Sequence, residues 1–89
     1  MRFVYDPTKS ESNRDKHGVD FAFADRMWRD EAMTAVSAAH PVEQRFAATA
    51  QVEGKFWTAI YTPRGETIRI ISIRRARKKE IAEYGADET

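Results

Sequence analysis

The amino-acid sequence predicts an α+β domain in which helices pack on one face of a small, twisted, mostly antiparallel sheet. Three observations predict this class. Helix start and stop signals lie in the first third of the chain, four segments with a two-residue hydrophobic period follow, and only short turn sequences separate those segments. Short connections force neighbouring strands to run antiparallel. The helix and strand signals together predict the element order β-α-α-β-β-β-β-α, in one domain that spans residues 1–89.

The N-terminal part is predicted to form a short strand over residues 2–5 and then a polar helix. Asp6 followed by Pro7 is typical of an N-cap with proline in the first helical position, and Gly18 is typical of the residue just past a helix end. The helix is almost entirely polar. Its inward-facing candidates share a four-residue spacing, and they are Lys9, Asn13 and His17.

Asp20 is expected to cap a second helix that runs through Trp28 and carries an apolar stripe. The last helix is predicted over residues 76–84 and should end at Gly85, with residues 87–89 frayed. The four predicted strands lie between these helices, at residues 32–38, 45–52, 55–62 and 67–73.

Composition excludes several classes of protein and site. The chain has 42% hydrophobic and 33% charged residues, so it should fold, and its zero cysteines exclude disulfides and thiol nucleophiles. No apolar stretch is as long as a signal peptide core or a membrane span, so we expect a cytoplasmic protein with no membrane partner. His17 and His40 lack metal-ligand spacing and the glycines are dispersed, so we expect neither a metal site nor a cofactor.

Charge is segregated along the chain although the net charge is only +1. Residues 1–63 hold eight Lys and Arg against nine Asp and Glu, residues 64–79 hold seven against one, and residues 80–89 hold none against four. A basic block of this kind is either a binding surface for a polyanion such as RNA or a solvated helix face.

Arginines within and beside the last strand are the strongest candidates for chemistry. Strand alternation places Arg69 with Thr67, Ile71 and Ile73 on one face and Arg74 on the other. Arg69 among isoleucines needs a partner, and an ion pair with Glu43 or Glu80 is the favoured alternative to a functional role. The remaining arginines should be exposed at strand ends or turns, where a guanidinium can meet phosphate, and they are Arg64, Arg74 and Arg75.

Metal-free RNA cleavage needs a base for the 2′-hydroxyl, cations around the phosphorus and an acid for the departing 5′-oxygen. His17 is of the residue type that exchanges protons near neutral pH, but a role as a C-terminal helix cap is at least as favoured. Trp57 and Tyr61 share a strand face and could stack bases, although core packing is the preferred interpretation. Tyr84 could pack on the sheet or contact phosphate.

Three segments resemble the BrnT toxins of bacterial toxin–antitoxin pairs. They are FVYDPTKSESNRDKHGVDF at 3–21, EQRF at 43–46 and YTPRGETIRIISIRRARKKEIAEY at 61–84. The resemblance implies a RelE-like ribonuclease fold, translation arrest through RNA cleavage, and neutralisation by a BrnA-like antitoxin with a ribbon-helix-helix DNA-binding domain. It also implies that DNA is contacted only through the antitoxin, in a possible heterotetramer.

The family motifs and the basic block together select the site residues. The expected catalytic residues are His17, Arg64, Arg69 and Arg74. The expected RNA-binding residues are Lys9, Lys16, Arg45, Arg75, Arg77, Lys78 and Lys79. The stripe of Lys9, Asn13 and His17 is expected to line a cleft that faces the arginines.

Two other functions stay open from the sequence. The same basic surface could belong to an inactive, partner-binding module that docks an antitoxin and supports autoregulation of its operon. A DNA-binding regulator is the weaker possibility, because the chain contains no helix-turn-helix or ribbon-helix-helix pattern.

Overall fold

A computed structural model describes residues 1–86 of the chain, and the prediction for residues 87–89 lies outside the described residues. The α+β class is confirmed. The strands are β1 (Arg2–Val4), β2 (Thr34–Ala38), β3 (Arg45–Val52), β4 (Lys55–Arg64) and β5 (Thr67–Arg75). The helices are α1 (Pro7–His17), α2 (Ala24–Met27) and α3 (Lys78–Ala86), with a 3₁₀ helix at Phe21–Phe23 before α2.

The five strands form one mixed sheet in the order β1-β5-β4-β3-β2. β2 to β5 pair antiparallel in sequence order, as their short connections require. β1 is parallel to β5, since α1 and the whole meander separate the two strands in the chain. β4 is therefore the central strand, β5 lies between β4 and β1, and β1 and β2 are the two edges.

The first helix has the predicted boundaries because both of its ends are capped. Asp6 Oδ1 accepts hydrogen bonds from the backbone N–H groups of Thr8 at 2.8 Å and Lys9 at 3.3 Å. Gly18 has φ +87°, and its N–H donates to the Arg14 carbonyl at 2.9 Å. These caps stabilise a helix that has little apolar surface of its own.

The second helix was predicted as one continuous element through Trp28, which is wrong. Asp20 does cap it, through a 3.0 Å hydrogen bond from the Ala22 N–H, but the first turn is a 3₁₀ helix and α2 ends at Met27. The apolar side chains still reach the sheet, because Phe21, Ala24 and Met27 are buried against Trp57 and its neighbours in the core. The last helix, predicted over 76–84, begins at Lys78 and runs through Gly85 to Ala86.

The helices lie on both faces of the sheet, so the prediction of one covered face was wrong. The core face carries Trp57 and Ala59 of β4. Thr58 lies between them and therefore points to the opposite face, where its hydroxyl donates to Glu80 of α3 at 3.0 Å. We call this opposite face the α3 face, and α3 covers the part of it next to Thr58.

A β-bulge at Ile71 changes which residues of β5 share a face. Ser72 pairs with Ile60, but Ile70 pairs with Tyr61, so Ile71 has no partner of its own on β4. Arg69 and Arg74 pair with Thr62 and Thr58, which point to the same side of β4. The bulge therefore brings Arg69, Ser72 and Arg74 to the α3 face, although simple alternation placed Arg69 and Arg74 apart.

Asn13 of α1 joins the helix to the C-terminal part of β5, beyond Thr67–Arg69 where β1 pairs with this strand. Its Nδ2 donates to the carbonyl oxygens of Ile73 at 2.8 Å and Val19 at 2.7 Å, and its Oδ1 accepts from the Ile73 N–H at 3.1 Å. The side chain thus bonds the Ile73 backbone as a neighbouring strand would. Of the predicted polar stripe only Asn13 is buried, while Lys9 and His17 are exposed and Ser10 is buried instead.

Candidate active site

Three arginines and one carboxylate converge on the open part of the α3 face. Glu43 lies in the loop before β3, and its carboxylate contacts one guanidinium from each of three adjacent strands. The nitrogen–oxygen distances are 2.8 Å to Arg45, 3.7 Å to Arg64 and 3.9 Å to Arg69. We call Arg45, Arg64 and Arg69 the arginine cluster. Neighbouring strands lie about 4.8 Å apart, so side chains on one face of three strands can reach a single group.

The arginine cluster keeps a net positive charge. Three guanidinium groups against one carboxylate leave two positive charges uncompensated. The pKa of Glu43 lies below its ordinary value, mainly through the Arg45 hydrogen bond and also through the charge of Arg69. The side chains of Arg64 and Arg69 are 55% and 36% exposed, whereas that of Arg45 is 27% exposed. Arg64 and Arg69 are thus the members most accessible to an anion.

The loop that carries Glu43 is held by hydrogen bonds at both ends. His40 Nδ1 accepts from the N–H groups of Val42 at 3.3 Å and Glu43 at 3.2 Å. At the other end, the Thr62 hydroxyl of β4 donates to the Gln44 carbonyl at 2.7 Å. These contacts fix the Glu43 backbone over the strands that carry the arginines.

A shallow groove of about 190 Å³ lies between α1 and β5. Its basic lining residues are Lys9, Lys16 and His17, and β5 contributes Ile71 and Ser72. The C-cap of α1 is Gly18, and His17 lies exposed in the last turn of the helix. Since Ser72 lies between Arg69 and Arg74 on the α3 face, the groove reaches the same strand as the arginine cluster.

Arg74 is not the exposed strand-end residue that was expected. It forms a bidentate pair with Glu80 of α3, at 2.8 Å and 2.9 Å, and the two side chains are only 18% and 16% exposed. Thr58 and the Arg77 N–H also donate to Glu80. The Arg74 hydrogen bonds, followed by those of Arg77 and Thr58, lower the pKa of Glu80 to about 2. Arg74 therefore holds α3 on the sheet.

The other expected RNA-binding residues lie away from the arginine cluster. Arg75 points to the core face, where its guanidinium stacks 5.3 Å from the Trp57 ring and its Nε donates to the Phe56 carbonyl at 3.3 Å. Arg77, Lys78 and Lys79 are exposed around the start of α3. They form a second basic patch at the start of α3.

Trp57 and Tyr61 pack as the preferred interpretation predicted, and Tyr84 takes the packing role, one of the two that the sequence left open. Trp57 is 9% exposed in the core, and Tyr61 is partly buried between Trp28 and Phe46. Tyr84 packs its ring on Phe56, with centroids 5.1 Å apart, and donates its hydroxyl to Asp30 at 2.8 Å. No base-stacking role is needed to explain any of them.

The expected contact between Arg69 and Glu43 is confirmed, at 3.9 Å, but sequence reasoning missed that the same carboxylate also contacts Arg45 and Arg64. The available signal was the E-x-R motif at Glu43 and Arg45, because residues two apart in an extended segment share a side and can pair. Ser72 was also missed as part of the site, since its orientation depends on the bulge at Ile71.

No curated protein matches this chain. A family model described as the ribonuclease toxin BrnT of type II toxin–antitoxin systems matches residues 5–80. The matched range contains α1, the whole meander and Glu80, and so includes both the groove and the arginine cluster. Because the match covers most of the chain, the protein belongs to the BrnT family of type II toxin–antitoxin ribonuclease toxins.

Proposed function

We propose that the protein is a metal-independent, RelE-like endoribonuclease that cleaves cellular RNA and thereby arrests translation and growth. The observation that supports this most strongly is the arginine cluster around Glu43, on an open sheet face that the groove of His17 reaches at Ser72. Such a face supplies both cations for a phosphate and a group that exchanges protons, which are the requirements of cleavage without a metal.

Arg64 and Arg69 are the proposed phosphate-binding pair. Each lies more than 3.5 Å from Glu43, so neither uses its donors in a close bond to that carboxylate. A guanidinium presents a planar fork that binds a phosphate through two parallel hydrogen bonds. Arg45 is held more tightly at 2.8 Å and contributes charge and orientation.

Cleavage proceeds by attack of the 2′-oxygen on the adjacent phosphorus. The bond from phosphorus to the 5′-oxygen breaks, which leaves a 2′,3′-cyclic phosphate and a 5′-hydroxyl. Arg64 and Arg69 stabilise the charge that develops on the phosphoryl oxygens. His17 carries one of the two protons, and Lys9 and Lys16 bind the RNA backbone beside it.

Arg74 has a different assignment in this proposal. It could bind phosphate only by giving up its bidentate bonds to Glu80, so its contribution to activity is to keep α3 in place. The exposed patch of Arg77, Lys78 and Lys79, together with Arg75, extends the positive surface along which RNA lies.

The proposed partner is a BrnA-like antitoxin with a ribbon-helix-helix domain, bound in the cytoplasm as a heterotetramer. It covers the arginine cluster, and DNA is contacted through the antitoxin alone. The alternative, an inactive antitoxin-docking module, is favoured by exposed apolar residues near the cluster. Val42, next to Glu43, is 86% exposed, and Val36 is 46% exposed.

The test is cleavage of RNA by the purified, antitoxin-free protein in EDTA, with and without ribosomes. Arg64→Ala and Arg69→Ala should each lower the cleavage rate at least tenfold without altering thermal unfolding, whereas Arg14→Ala, an exposed arginine of α1, should behave as wild type. Products should carry 2′,3′-cyclic phosphate. Antitoxin binding by a folded wild-type protein that cleaves no RNA would support the docking module instead.

A further inference from the structure

We infer that Glu43 is the general base that takes the proton from the attacking 2′-hydroxyl, and that His40 positions it. The inference rests on the proposed ribonuclease function and adds two residues to it. Among residues 1–86, Glu43 is the acidic side chain that pairs with the arginine cluster. Its assignment follows from where a phosphate would lie.

The distances place the Glu43 carboxylate beside any phosphate that Arg64 and Arg69 bind. The same Oε1 atom lies 3.7 Å from Arg64 and 3.9 Å from Arg69. A phosphate held between these two guanidinium groups therefore lies next to that oxygen. The 2′-hydroxyl of the preceding ribose is adjacent to its own phosphate, so it comes within reach of the carboxylate.

The charges around Glu43 suit a base that becomes stronger when RNA binds. The facing groups are Arg45 of β3, Arg64 of β4, Arg69 of β5 and His40 of the loop. In the free protein the pKa of Glu43 lies below its ordinary value, mainly because Arg45 donates a hydrogen bond to it and also because of the nearby charge of Arg69, so the carboxylate is ionised. A bound phosphate draws Arg64 and Arg69 toward itself and adds negative charge nearby, and both changes raise the proton affinity of Glu43.

His40 is a positioning residue because its ring is hydrogen-bonded to the backbone of the loop that carries Glu43. Nδ1 accepts two backbone N–H groups, those of Val42 at 3.3 Å and Glu43 at 3.2 Å. The ring therefore holds the Glu43 backbone, and His17 remains for the acid role.

The experiment is a pH–rate profile of RNA cleavage in EDTA for the wild type and matched variants. Glu43→Gln keeps the side-chain shape and an acceptor for Arg45, but it cannot take a proton. We expect its rate to fall by about 10²- to 10⁴-fold and the decline of rate on the acidic side to disappear. Glu43→Asp should keep that acidic decline at a reduced rate. Glu53→Gln removes a carboxylate that pairs with Arg26 at the far end of β3, and should leave the profile unchanged.

His40 is tested by comparing two substitutions. His40→Asn retains a short acceptor that can bond the same N–H groups, so it should restore more of the rate than His40→Ala does. Thermal unfolding of each variant separates loss of folding from loss of chemistry, and Glu43→Asp decides the question if the Gln variant does not fold.

The outcomes distinguish this inference from the proposed function. If the wild type cleaves RNA and Glu43→Gln does so at a similar rate with the same acidic decline, the inference is overturned and the ribonuclease assignment stands. If a low rate in Glu43→Gln is accompanied by an unchanged pH profile, Glu43 only orders the arginines and the inference is likewise overturned. Absence of cleavage by the wild type, with or without ribosomes, overturns both.

Discussion

Removing the charge of Glu80 should lower stability in a pH-dependent way that the geometry specifies. The Glu80 carboxylate accepts hydrogen bonds from both terminal nitrogens of Arg74, from the Thr58 hydroxyl and from the Arg77 N–H, all between 2.8 and 3.0 Å. Four hydrogen bonds, two of them from the charged fork of Arg74, stabilise the ionised form. Glu80→Gln keeps the shape of the side chain but replaces the carboxylate by a neutral amide.

The magnitude follows from the pKa of Glu80, which falls from 4.5 to about 2 in the folded protein. A difference of about 2.5 in pKa corresponds to about 3 kcal/mol of stabilisation by the ionised form. Because the folded-state pKa is the lower one, this stabilisation is present in full above about pH 5 and is lost as the pH falls toward 2. A domain of this size has a stability of about 5 to 10 kcal/mol, so the effect is a large fraction of the whole.

The assay is urea unfolding of the wild type and Glu80→Gln at several pH values from 7 to 2.5, since urea does not screen charges as guanidinium does. The wild type should be more stable by about 3 kcal/mol at pH 7, and the difference should shrink as the pH falls. Asp30 and Glu43, whose pKa values are also lowered, occur in both proteins and cancel in the difference. Glu66→Gln, in the exposed β4–β5 turn, is the matched control and should have little effect.

One result would refute this reasoning. If the difference in unfolding free energy between the two proteins stays constant from pH 7 to 2.5, the ionised carboxylate contributes nothing specific. The Arg74–Glu80 pair would then not anchor α3, and the assignment of Arg74 to anchoring would fall with it.

Three further predictions test the other parts of the structure. Asn13→Ala should lower the free energy of unfolding in urea by about 3 kcal/mol, because it leaves the Ile73 N–H and the Val19 and Ile73 carbonyls without their partner. As a control, substitution of the exposed Ser12 by alanine should change the free energy of unfolding by less than about 0.5 kcal/mol. Asp6→Ala should cost about 1 kcal/mol through loss of the α1 N-cap, and a change near zero would show that the cap is redundant. Arg64→Ala should reduce the salt dependence of RNA binding, measured with an uncleavable 2′-deoxy RNA: the slope of log binding constant against log salt concentration should become smaller in magnitude by about one. An unchanged slope would show that Arg64 does not contact phosphate.

The sequence by itself determined the elements whose signals are local. The ends of α1 follow from Asp6, Pro7 and Gly18, since caps act on the backbone within a few residues. The two-residue period and the short turns predicted four antiparallel strands, and they form as expected over β2 to β5. Arg64 and Arg69 were identified from the density of basic residues over 64–79, whereas Arg45 was identified from the resemblance to the BrnT family.

Only the tertiary structure decided how those elements combine. The bulge at Ile71 depends on how β5 pairs with β4, and it moves Arg74 to the face of Arg69. The meeting of Glu43 with the arginine cluster needs a loop and three strands that lie up to 26 residues apart in the chain, from Glu43 to Arg69. Arg74 is withdrawn from the surface by Glu80, a residue on a separate helix. Alternation and composition describe a chain locally, whereas register and side-chain pairing depend on contacts between distant segments, and those contacts determine which charges are free to bind an anion.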